Sequence, residues 1–173
     1  YTGLDGGECE ACAAGSFKDV NGSTACTLCS RGKYSASTAA IFDSTCTDCA
    51  VGKYLTTEGN DAESDCTFCG AGKYSSTLGA ADCVRCGAGT YSETLGATEA
   101  AACIECGAGK YLATEGNDAE ADCLLCRSGA YSSTLGATEA AACIDCLAGK
   151  YAAQQGSTEE SDCTLCGMGK YSA

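Results

Sequence analysis

The chain has no proline, no histidine and no tryptophan, and a single methionine. Without imidazole, the commonest general base and metal-ligating side chain is missing. No Gly-x-Ser-x-Gly elbow, phosphate loop or pocketed carboxylate pair takes its place, so neither an enzyme nor a cofactor is expected. Large apolar side chains are scarce as well: Leu, Ile, Val and Phe together number 20 of 173 residues. That is below the level at which apolar burial offsets the chain entropy of a domain this long. Positive charge is thin, with 10 Lys and Arg against 23 Asp and Glu and a net charge of −13. Scattered bases displace few counterions from nucleic acid, and the net charge opposes an anionic membrane surface. No apolar run reaches spanning length, so no membrane insertion is expected within this stretch, and no signal peptide is visible.

What the chain has instead of an apolar core is sulfur. Its 18 cysteines form nine Cys-x-x-Cys doublets, at 9/12, 26/29, 46/49, 66/69, 83/86, 103/106, 123/126, 143/146 and 163/166. First cysteines are 20 residues apart in six steps and 17 apart in two. A fixed period of this length marks a tandem array. A glycine stands three residues after every second cysteine: Gly15, Gly32, Gly52, Gly72, Gly89, Gly109, Gly129, Gly149 and Gly169. Two residues on comes an aromatic, Phe17 once and tyrosine thereafter. Five further comes a second glycine, replaced only after Tyr34, by Ala39. The 17-residue steps shorten one run alone, for Gly22 and Gly79 precede a cysteine by four residues, whereas Gly59, Gly116 and Gly156 do so by seven. That run reads as the exposed loop, and the constant part as the framework.

The repeats run 13–29, 30–49, 50–69, 70–86, 87–106, 107–126, 127–146 and 147–166, with partial repeats at 1–12 and 167–173. Tyr1 falls at the aromatic position, Gly6 five residues later, and the end at Tyr171 is again in mid-repeat, which predicts a window of a longer chain. Helix is not expected, because fixed glycines interrupt every unit and no 3.6-residue apolar stripe survives between them. Thr47, Val84, Ile104, Leu124 and Ile144, each following a first cysteine, suit a short strand. The expected fold is small and disulfide-rich: an elongated tandem array of hairpin or loop repeats of about 20 residues, with short β-strands and little other regular structure.

Two Cys-x-x-Cys doublets sixteen residues apart also match a four-cysteine zinc module. Nine doublets do not divide into two-doublet sites without a remainder, and all nine look alike. Redox chemistry would need a thiol at a helix start, which these repeats do not supply. Disulfides account for more. Joining the second cysteine of each doublet to the first of the next gives Cys12–Cys26, Cys29–Cys46, Cys49–Cys66, Cys69–Cys83, Cys86–Cys103, Cys106–Cys123, Cys126–Cys143 and Cys146–Cys163. Cys9 and Cys166 fall outside these pairs, one towards each end, as truncation of a longer array predicts. Each bridge closes a loop of about 15 residues and contributes about 3 kcal/mol in the chain-entropy model. The spacing alone leaves crossed pairings between doublets open.

Cys-x-x-Gly-Lys-Tyr leading to Cys-x-x-Cys, as from Cys49 to Cys69 or from Cys106 to Cys126, resembles the ephrin-receptor-like cysteine-rich repeat. It is also similar to the opening module of tumour-necrosis-factor-receptor domains. The resemblance covers the whole chain. It implies an extracellular location and supports bridging the Gly-x-Tyr loop by its flanking cysteines. One departure is plain: such repeats commonly carry proline after the second cysteine, where this chain has Ala13, Ser30, Ala50, Gly70, Gly87, Gly107, Arg127, Leu147 and Gly167.

The remaining signals have mundane readings. The tyrosine ladder could serve carbohydrate, but one ring per coreless unit is better explained as packing on a neighbouring disulfide. The lysines before it, such as Lys53 and Lys110, read as snorkelling surface residues. The acidic run Glu58–Asp65 and its copy Glu115–Asp122 match no calcium loop and read as solvated turns. Asn21-Gly-Ser23 is the one N-glycosylation sequon, and Ser75–Thr77 and Ser132–Thr134 are O-glycan candidates on composition. Near-identical units, such as those containing Gly96–Cys103 and Gly136–Cys143, predict a structural protein of the cell exterior that associates with itself in a filament, coat or stalk. A receptor ectodomain binding a protein ligand is the alternative, and a zinc array of four-cysteine sites the second.

Overall fold

Each repeat opens on a turn shaped for glycine. The computed structural model describes residues 9–171, and in it the first glycine of every repeat is left-handed, with φ from 74° at Gly109 to 82° at Gly129 and Gly149. A side chain resists this conformation. The turn delivers the chain into a two-residue strand, and a second such strand lies between the cysteines of the following doublet. Tyr1 and Gly6 of the first partial repeat lie outside the described residues.

These strands are β1 (Ser16–Phe17), β2 (Thr27–Leu28), β3 (Lys33–Tyr34), β4 (Thr47–Asp48), β5 (Lys53–Tyr54), β6 (Thr67–Phe68), β7 (Lys73–Tyr74) and β8 (Val84–Arg85). They continue as β9 (Thr90–Tyr91), β10 (Ile104–Glu105), β11 (Lys110–Tyr111), β12 (Leu124–Leu125), β13 (Ala130–Tyr131), β14 (Ile144–Asp145), β15 (Lys150–Tyr151) and β16 (Thr164–Leu165). Each odd strand pairs with the even strand that follows it, giving one two-stranded sheet per repeat. The pairing is antiparallel: Tyr111 stands opposite Leu124, and Lys110 opposite Leu125. The fold is therefore a small disulfide-rich array of tandem hairpins.

After the second glycine, the six longer repeats carry a single 3-10 turn: Asp43–Thr45, Glu63–Asp65, Ala100–Ala102, Glu120–Asp122, Ala140–Ala142 and Glu160–Asp162. The repeats 13–29 and 70–86 have none. The three residues separating a long repeat from a short one are that turn. A carboxylate often closes it: Asp65 accepts from the Ala62 N–H at 3.2 Å, and Asp122 from the Ala119 N–H at 3.2 Å.

The chain divides into two contact units. One holds the described residues up to Gly70 together with Tyr74–Val84 and Leu95–Glu99; the other holds Ala71–Lys73, Arg85–Thr94 and the described residues from Ala100 onward. The first contains the hairpins β1–β2, β3–β4 and β5–β6, and the second those from β9–β10 to β15–β16. Each is built the same way inside.

Burial is distributed, one small cluster per repeat. In the first unit, Phe17 and Ala40 pack with Cys29 and Cys46, and Tyr34 packs on Leu55 with Cys49 and Cys66. In the second, Tyr91 packs on Leu112 with Cys106 and Cys123. The aromatic of one repeat thus covers the cysteine pair of the next. Apart from Lys18, which is half-buried, the residue after the aromatic is buried as well, whether Ser35, Leu55, Ser75, Ser92, Leu112, Ser132 or Ala152.

Candidate functional site

The feature that recurs, and to which every fixed residue contributes, is the junction between repeats. Its covalent part is the disulfide. The structure joins Cys12–Cys26, Cys29–Cys46, Cys49–Cys66, Cys69–Cys83, Cys86–Cys103, Cys106–Cys123, Cys126–Cys143 and Cys146–Cys163. Their Cα atoms are 5.6 to 5.8 Å apart. Each bridge encloses the Gly-x-Tyr strand of one repeat and leaves the Cys-x-x-Cys strand outside the loop. Sulfurs joined in this way are not thiolates, so two adjacent doublets do not form the four-thiolate set that zinc would need. Among the described residues, no group of three or more His, Cys, Asp or Glu converges on a metal position.

The non-covalent part is main chain. The first glycine donates its N–H to the residue after the aromatic in the next repeat, as Gly32 to Leu55 at 2.9 Å and Gly109 to Ser132 at 2.7 Å. That residue in turn donates to the position after the second glycine one repeat further: Ser35 to Asn60 at 3.0 Å, Leu112 to Ala137 at 2.9 Å. The aromatic itself forms a parallel bridge to the same position, for example Tyr34 to Asn60 and Tyr111 to Ala137. Parallel pairing between successive repeats therefore adds to antiparallel pairing within each one.

A second set of contacts skips a repeat. The second glycine donates to the carbonyl of the cysteine that ends the repeat two earlier, as Gly79 to Cys49 at 2.8 Å and Gly156 to Cys126 at 2.9 Å. The two glycine positions meet there face to face. A Cβ built on Gly15, Gly32, Gly52, Gly72, Gly89 or Gly109 would lie 1.9 to 2.3 Å from the carbonyl oxygen of Gly59, Gly79, Gly96, Gly116, Gly136 or Gly156 respectively. The second glycines are left-handed too, and Ala39, which takes the place of one, is the only non-glycine with positive φ among the described residues, at 53°. Its N–H still reaches the Cys12 carbonyl at 2.8 Å. The backbone imposes this shape on the position whichever residue fills it.

The other candidates fall into supporting roles. Asn60 is occupied within its own turn, its amide donating to the Thr57 carbonyl at 2.7 Å and its Oδ1 accepting from Thr57 at 3.0 Å. With Asp65 bound to backbone and Glu63 3.6 Å from Lys53, the acidic run is spent on turn structure. The lysines do more than cover surface: Lys33, Lys53, Lys110 and Lys150 pair with Asp48, Glu63, Glu120 and Glu160. Lys53 also lies 4.9 Å from the centre of the Phe68 ring. The hydrogen bond and charge of Lys110 hold the Glu120 carboxyl below the usual glutamate range. Asn21 is exposed beside Gly22. Of the grooves in the second unit, one is lined by Lys110, Tyr111, Glu120, Leu124 and Leu125 and another by Tyr151, Gln154, Gln155 and Asp162. In a chain without histidine, neither pairs a nucleophile with an imidazole base.

Sequence reasoning identified the cysteine, glycine and aromatic positions but missed the buried one after the aromatic, and it missed the contact between repeats two apart. It also missed the Lys–Glu pairing, although a signal was present. Lys53/Glu63, Lys110/Glu120 and Lys150/Glu160 are each ten residues apart, and where the lysine becomes Thr90 or Ala130 the partner becomes Ala100 or Ala140.

A fold of this kind, tandem hairpins closed by bridges and joined through main chain, defines a class of cysteine-rich repeat module. The family model for tyrosine-protein kinase ephrin type A/B receptor-like sequences matches residues 1–46, 57–103 and 114–163. The chain belongs to that family. No curated protein matches it. Family membership and the density of bridges indicate an extracellular setting, and among the described residues no helix is long and apolar enough to cross a membrane.

Proposed function

We propose that the array is a structural element at the cell surface or in secreted material, a filament, coat or stalk, and that it associates with copies of itself. The observation that carries this reading is that the junctions are made by main chain and disulfide, with the same bonds recurring from repeat to repeat. The side chains of the Cys-x-x-Cys strands are exposed, as at Ile104–Glu105 and Ile144–Asp145, and can repeat on the outside. Ile104 and Ile144 are 53% and 54% exposed at equivalent strand positions, and both follow an identical Gly-Ala-Thr-Glu-Ala-Ala-Ala-Cys run. Equivalent patches at a fixed interval match best on a partner with the same interval, which a second copy provides. Negative-stain microscopy with sedimentation over a concentration series tests the idea. Growing assemblies support it, whereas monodisperse single chains at high concentration overturn it.

The family description supports a second reading, a receptor ectodomain that binds a protein ligand. A signalling domain elsewhere in the full-length chain would favour this reading over the first. In either setting Asn21 is the proposed N-glycan acceptor; enzymatic deglycosylation of the secreted protein should lower its mass, and Asn21→Gln should abolish the shift.

A further inference from the structure

The pattern of bridges determines where a pulling force would travel. Each disulfide spans the loop between one doublet and the next, and successive disulfides are joined only by the Cys-x-x-Cys segments. Going from Cys103, the covalent route is Cys103 to Cys106 along the backbone, across the bridge to Cys123, along the backbone to Cys126, and across again to Cys143. The loop holding Gly109, Tyr111 and Gly116 lies off this route.

We propose that the array is a tension-bearing tether of limited travel, in which force, once the contacts between repeats have parted, runs through the Cys-x-x-Cys strands and the bridges and no longer through the Gly-x-Tyr loops. The hydrogen bonds between repeats break first, because they join loops to loops, as Gly109 to Ser132, or loops to the loaded strand, as Gly136 to Cys106. Once they part, a repeat extends only by its covalent route. A fully extended backbone reaches about 3.5 Å per residue, so a Cys-x-x-Cys segment gives about 10 Å. The bridge adds a Cα–Cα span of 5.6 to 5.8 Å. Each repeat is therefore limited to about 16 Å, against about 70 Å for twenty unbridged residues. Whatever a loop carries outward, Asn21 and the turn tips included, stays within a closed disulfide ring while the strand behind it bears the load. This inference does not depend on self-assembly.

Single-molecule stretching of the chain by handles at its two termini tests it, since the terminal segments contribute equally with and without reductant. From Cys12 to Cys163, the oxidised chain should stop at about 120 Å and the reduced chain at about 530 Å, so reductant should add about 410 Å of contour length. In the oxidised state, the double variant Cys106→Ser/Cys123→Ser should add about 54 Å and no more. The second readout depends on the seven remaining bridges, which peptide mapping of the unreduced variant verifies before stretching. An oxidised wild-type chain that stretches several hundred ångströms, or a double variant with unchanged contour length, overturns the proposal.

Discussion

The contact between glycines two repeats apart can be weighed with three alanine substitutions. Gly107 has no positive φ, and a methyl group there would meet nothing within 4 Å. Gly149 is left-handed at 82°, but a methyl there likewise meets nothing within that distance. Gly109 is left-handed at 74°, and a Cβ there lies 2.2 Å from the Gly156 oxygen, 2.7 Å from its carbonyl carbon and 3.0 Å from the Ser157 oxygen. The left-handed region costs an L-residue about 1–2 kcal/mol, so Gly149→Ala should destabilise by about that amount. Gly107→Ala should be neutral or stabilising by about 0.5 kcal/mol, through the unfolded chain. Gly109→Ala carries the same conformational cost and must also push two backbones apart by about 1 Å to restore ordinary contact. The bonds at risk are Gly109 to Ser132 at 2.7 Å and Gly156 to Cys126 at 2.9 Å. At about 1 kcal/mol each, their loss brings the expected destabilisation to about 3–4 kcal/mol. Native-state hydrogen exchange on the disulfide-intact protein is the appropriate assay, because repeats open locally. Protection of the amides that donate these bonds, Gly156 and residue 109 itself, should fall sharply in Gly109→Ala alone. Equal effects from Gly109→Ala and Gly149→Ala would refute the claim that repeats two apart stabilise one another.

Ala39→Gly should raise stability by about 0.5–1 kcal/mol, since relief of the left-handed cost exceeds the added freedom of the unfolded chain; denaturant midpoints measure it. Leu112→Ala empties a site that is 3% exposed beside Cys106 and Cys123, and should cost about 2–3 kcal/mol, read in the same experiment. Glu120 should titrate by NMR below an ordinary glutamate, and Lys110→Met should return it to the usual range. A lowered folded-state pKa favours the carboxylate in the native protein. Its contribution is therefore present above the ordinary glutamate range and lost as pH falls through the lowered value.

Much of the framework was legible because it rests on residues with few substitutes. Cysteine reported the bridges, glycine the left-handed turns and tyrosine the cover over each cysteine pair. The buried position after the aromatic was not legible, since Leu55 and Leu112 alternate there with Ser35, Ser92 and Ser132. It is buried by the parallel pairing of its own backbone to the next repeat, not by its apolarity. A buried serine stays satisfied locally: Ser92 accepts from the Thr94 N–H at 3.4 Å, and Ser132 from the Thr134 N–H at 3.3 Å. The contact between repeats two apart left almost no trace in the sequence, because it joins two glycines whose requirement could have come from local turns alone. Ala39 was a clue that could be interpreted only once its backbone angle was known.

Since the cysteine that ends a repeat offers its carbonyl to a backbone N–H two units on, from a glycine or, once, from Ala39, insertion or loss of one whole unit leaves each survivor with a compatible neighbour. The gene can then lengthen or shorten by unequal recombination without inventing a new interface. The 17-residue members show that even the spacing tolerates a missing turn. Copy number becomes a trait that selection can adjust separately from the fold.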